Sequence, residues 1–147
     1  MRCLRMTHGL AVGLLLAIGT VHAQAPLKSP EAVSTGLRIM SQVVRHTDRL
    51  VAAKTYEQIP HECGEFEEGM KEVQNGVGTQ PSELKTKLSP LLAKARVASN
   101  AMSEAAMSRN DAQLALAHDQ FAAAVSSVIQ LFPADLRPKP PAPPPAS

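Results

Sequence analysis

Tryptophan is absent from this chain of 147 residues, and its aromatic side chains are limited to Tyr56, Phe66, Phe121 and Phe132. Single-stranded nucleic acid needs stacking platforms and a basic groove. The first is missing here, and so is the second. Of 15 Lys and Arg residues, Arg2 and Arg5 precede the amino-terminal apolar run, leaving 13 basic side chains against 13 acidic ones. A balanced chain of this kind gives no electrostatic footprint for nucleic acid.

Cysteine is equally scarce: Cys3 and Cys63 are the two in the chain. Cys3 falls in the segment expected to be removed, so the mature chain carries one thiol and no internal disulfide. In an oxidising compartment such a thiol is buried, paired with another chain or bound to a ligand. A disulfide between two copies through Cys63 is the homodimer this allows.

Catalytic signatures are also missing. The chain has no Gly-rich phosphate loop, no Cys-x-x-Cys, no His-Glu-x-x-His and no Glu-x-x-His pair of the di-iron type. The pattern points to a protein that is not an enzyme.

What is present begins with an export signal. Arg2 and Arg5 lead into the apolar run 10–18, and Val21-His22-Ala23 then offers small residues to a signal peptidase. The run is shorter than the roughly 20 residues that span a bilayer. Cleavage after Ala23 is expected, with periplasmic or secreted location and no membrane attachment afterwards. Residues 24–29 read as a flexible lead-in, 30–132 as one helical domain and 133–147 as a proline-rich disordered tail.

Within that domain the apolar positions recur at helical spacing. The first helix is expected from Pro30 or Glu31 to about Lys54, through Val33, Leu37, Met40, Val44 and Leu50, with Ser29 as its cap. A second runs from about Pro60 to Val77 on a seam of Cys63, Phe66, Met70, Val73 and Val77. Asn75-Gly76 and Gly78 end it. A third spans Ser82 to Ser108 through Leu84, Leu88, Leu91, Ala95, Ala98, Met102 and Ala105, kinked at Pro90. The fourth starts at the Asn110/Gln113 capping box and carries Leu114, Ala117, Phe121, Val125, Val128 and Phe132. Short connections make sequential helices antiparallel neighbours, so the expected fold is all-α, an up-down-up-down four-helix bundle.

Few residues in this frame can bind a ligand. His46 lies eight residues before Lys54 and His118 eight after Asn110, which places both about 12 Å from one end. Imidazoles at one height on adjacent helices suit a transition metal, with Glu67 of the second helix as a third donor. His61 and Cys63, at the start of that helix, form a second candidate set.

In architecture the chain resembles the periplasmic bundle cytochromes, with an export signal and four helices rich in Ala, Met and Lys over Pro30 to Phe132. The cytochrome c-prime branch attaches haem through Cys-x-x-Cys-His near the end of its last helix. The stretch after Phe121 here has neither Cys nor His, so covalent haem is excluded. The b-type branch holds haem between a methionine early in the first helix and a histidine late in the last. The resemblance thus implies Met40 and His118 as haem ligands, although their expected heights differ by roughly 9 Å.

Overall fold

The computed structural model describes residues 26–139. The expected signal segment, 1–23, and the end of the proline-rich tail, 140–147, lie outside the described residues. Among those described there are four α-helices and no strand. They are α1 (Pro30–Ala52), α2 (Ile59–Val77), α3 (Glu83–Met107) and α4 (Asp111–Gln130), with a short 3-10 turn at Tyr56–Gln58 before α2. None is long and apolar enough to cross a membrane.

The helix starts follow the expected capping chemistry. The side chains of Ser29, Ser82 and Asn110 accept hydrogen bonds from the backbone N–H groups of Ala32, Lys85 and Gln113. Two of the ends are closed in the same way, by a residue in the left-handed region that lets the chain fold back on the last carbonyls. Lys54, at φ 55°, follows α1 and brings the Thr55 N–H to the Leu50 carbonyl; Arg109, at φ 51°, follows α3 and brings the Asn110 N–H to the Ala105 carbonyl. That closure ends α1 at Ala52, two residues before the expected Lys54. At the end of α4, Arg137 donates to the carbonyls of Phe132 and Gln130.

Pro90 stands inside an uninterrupted α3. It is exposed, so the carbonyl it leaves without an N–H partner faces water. Just beyond it the buried position is Leu92, and Leu91 lies at the margin.

α1 packs chiefly on α2 and α3 chiefly on α4, while α2 also meets α3 and α1 meets α4. The α1–α2 contact is made by backbone. A Cβ on Gly36 would lie 2.5 Å from the Gly69 carbonyl oxygen, and one on Gly76 would lie 2.6 Å from that of Ser29. The Ser29 N–H donates to the Gly76 carbonyl at 2.9 Å. At the centre of the core Phe66 and Phe121 meet edge to face, with centroids 4.9 Å apart.

Candidate functional site

His46, Glu67 and His118 do not form a common site. Among the described residues no group of three or more His, Cys, Asp or Glu side chains is placed to hold a metal ion. His46 and His118 differ in the direction they take around their helices. On α1 the inward position at this height belongs to Thr47, which is fully buried. One residue along a helix is a rotation of about 100°, and that step turns His46 toward the rim of α2.

There His46 Nδ1 lies 3.4 Å from Glu62 Oε2. His46, His61, Glu62 and Glu65 line a shallow groove of about 240 Å³ between α1 and α2, floored by Ile39 and Val43. His61 Nε2 is 3.9 Å from Glu65 Oε1 and the imidazole is largely exposed. Glu67 is taken by Arg96 of α3, which donates to both carboxylate oxygens at 2.9 Å.

Met40, the methionine that the cytochrome resemblance pairs with His118, is fully buried and lies over Gly69 of α2. The Phe66–Phe121 contact occupies the middle of the core.

Cys63 and His118 both point inward. The Cys63 thiol donates to the Ser99 carbonyl at 3.3 Å. Burial pushes the thiol pKa up, and the nearby Glu62 charge acts in the same direction. A buried thiol of this kind reaches a second chain only if the helices open.

His118 is 8 % exposed. Its Nδ1 faces the exposed Asp119 at 4.0 Å. Its Nε2 is the one buried side-chain nitrogen or oxygen among the described residues that has no hydrogen-bond partner. Such an atom is costly to leave alone, at about 1–3 kcal/mol.

Cross-helix contacts fix the height of these groups. Tyr56 donates to Asp111 and Phe66 meets Phe121; both pairs are separated by 55 residues. Cys63 and His118 have the same separation and lie between those two pairs. Lys54 is paired with Asp111, and Thr47 precedes the first by seven residues as His118 follows the second by seven. Thr47, Cys63, Ser99 and His118 therefore form one buried layer, a side chain from each helix, one turn below the aromatic pair. Thr47 gives its hydroxyl proton to the Val43 carbonyl at 2.8 Å.

Sequence reasoning missed Thr47 and Ser99. For Thr47 a signal was present, since it lies one heptad beyond Met40 on the buried face; Ser99 is one heptad beyond Leu92, whose burial the sequence pattern assigned to Leu91. No family model matches the chain, and no curated protein or solved structure matches it either.

Proposed function

We propose that this is an exported, non-enzymatic protein of up-down-up-down helical order that binds a transition-metal ion inside the helices, at the layer containing His118. The observation that carries this reading is the buried, unpartnered Nε2 of His118. A neutral imidazole nitrogen without a hydrogen bond retains its lone pair and is a ready metal ligand. Its position supports a ligand role over a packing role, because an apolar side chain would fill the same space without the cost of a desolvated nitrogen. The bundle order is supported by the neighbour contacts, in which α1 meets α2 and α4, and α3 meets α2 and α4. Export is supported by the amino-terminal sequence pattern.

The test is metal uptake by the full chain. The reduced protein is dialysed against Cu, Zn and Ni salts, and metal content is measured beside His118→Gln, with circular dichroism as the check on folding. Near-stoichiometric metal in the parent and its loss in a folded variant is the expected result. Equal uptake by both would overturn the site, and a Soret band in the purified protein would replace metal binding with the cytochrome reading.

A second reading, a cofactor-free interaction module, is favoured by Val97, Met107 and Leu116, which are 69 %, 69 % and 59 % exposed. Leu116 borders a groove between α3 and α4 with Ala101, Ala105 and Ala117. Concentration-dependent association in light scattering, lost in Leu116→Lys, is its signature.

A further inference from the structure

The metal-binding reading leaves open which ion the layer accepts, and the donors and charges around it answer that question. We propose that Cys63 and His118 together hold one cuprous ion, with the Cys63 thiolate sulfur and the His118 Nε2 as its two protein ligands. This rests on the reading of the core as a metal site and specifies the ion.

Placement comes first. The two residues lie on α2 and α4 with the separation that brings Phe66 against Phe121 one turn above and Tyr56 against Asp111 near the end. Both are buried. The sulfur already points into the interior, since its proton is directed to the Ser99 carbonyl. The imidazole nitrogen has no competing partner.

Donor chemistry comes second. Thiolate and imidazole are ligands that select soft d10 ions. Zinc asks for about four donors, whereas no third His, Cys, Asp or Glu joins these two among the described residues. Cuprous ion is satisfied by two. Met102, three residues beyond Ser99 on the buried face of α3, places a thioether one turn from the layer.

Charge comes third and decides between ions. Binding exchanges one proton for one metal ion: the Cys63 S–H bond breaks, the proton leaves to solvent, and sulfur and Nε2 each donate an electron pair to Cu(I). No electron is transferred. Thiolate, monovalent ion and neutral imidazole sum to zero, which the buried layer tolerates. A divalent ion would leave a net positive charge among Thr47, Ser99 and the aromatic pair. Of the carboxylates around it, Glu62 is directed toward His46 and Glu67 to Arg96, and Asp119, 4.0 Å from His118 Nδ1, is exposed and screened by solvent. Uptake therefore releases the thiol proton, one per ion.

The experiment is anaerobic titration of the full chain with Cu(I) buffered by a chromophoric chelator, with Zn(II) titrated in parallel. Expected are one Cu(I) per chain, a sulfur-to-copper absorption in the near ultraviolet, and preference for Cu(I) over Zn(II). Cys63→Ala should abolish the absorption and weaken binding about 100-fold, the upper range that even outer-shell partners of a metal command. His118→Gln should weaken it at least about tenfold, and His46→Ala with His61→Ala should leave it unchanged. Circular dichroism establishes that each variant is folded, and Cys63→Ser serves where alanine does not fold. Tighter binding of Zn(II), lost in His118→Gln, would overturn the cuprous assignment and leave the metal-binding function standing. Cu(I) affinity unchanged in a folded Cys63 variant would also overturn it. Uptake of neither ion by the parent protein would overturn both readings.

Discussion

The α1–α2 and α3–α4 pairs reach close contact by opposite means. In the first, glycines remove the side chain altogether, so that Gly36 stands against the Gly69 carbonyl and Gly76 against that of Ser29. In the second, small methyl side chains are interspersed with the larger ones on the buried face: Ala95, Ala98, Ala105 and Ala106 on α3, and Ala117 and Ala124 on α4. Glycine weakens a helix by roughly 0.5–1 kcal/mol relative to alanine. It is justified where even a methyl group has no room. The first pair is accordingly intolerant of added atoms, and the second is sensitive to atoms removed.

The largest effect is expected from Gly36→Ala. Its new methyl meets backbone oxygen and nitrogen of α2, neither of which can rotate away. A loss of about 3 kcal/mol is expected, the upper end for overpacking, measured by urea denaturation. A loss below that of an ordinary surface substitution would mean that α1 and α2 are farther apart. Between the pairs, His118→Leu is expected to stabilise the metal-free chain by about 1–2 kcal/mol, because it removes a desolvated nitrogen from the core. Destabilisation instead would show that Nε2 is satisfied in solution. Ala98→Gly in α3 is expected to cost about 1–2 kcal/mol, through helix propensity and a lost buried methyl. If it cost as much as Gly36→Ala, the two pairs would not differ in kind.

The smallest effect concerns the end where the pairs join. Lys54 and Tyr56 both donate to Asp111, and these hydrogen bonds, Lys54 first, hold its carboxyl below the usual carboxylate range. A folded-state pKa below the unfolded one stabilises above the unfolded pKa, and the contribution is lost as pH falls through the folded value. A shallow acid-side decline, absent in Asp111→Asn, should appear in thermal melts between about pH 5 and 2. Lys54 and Asp111 are exposed, so salt should flatten it further.

Much of the fold was legible because periodicity and caps are local. The stripes through Val33, Leu37 and Met40, and through Phe121, Val125 and Val128, lie in the core. Ser29 and Asn110 cap the helices they precede. Gly36 and Gly69 were not legible, since a stripe defined by hydrophobic residues passes over a glycine whose role is to be small. Leu91 was placed inward and Leu92 is the buried one, a single-residue phase change just past Pro90. The same one-residue sensitivity misdirected the site. Height along a helix follows from counting, and Thr47 and His46 share it; direction around the helix depends on which neighbours pack where. Cys63 and His118 were each recognised as ligands, but in different sets. Their relation rests on a 55-residue separation that the contacts of Phe66 with Phe121 and of Tyr56 with Asp111 reveal.

The short connections also bear on how the chain acquires its structure. α1 and α2 are adjacent in sequence, as are α3 and α4, so each pair closes a small loop and gathers its contacts early. The Phe66–Phe121 contact and the Lys54–Asp111 and Arg109–Glu57 ion pairs instead join residues more than 50 positions apart. Folding is therefore expected to be fast, limited by docking of two preformed halves. Phe66→Ala should then accelerate unfolding more than it slows refolding in a stopped-flow chevron if docking completes after the barrier. On that order of events the layer holding Cys63 and His118 does not exist in either half alone; it is created by the last step of assembly.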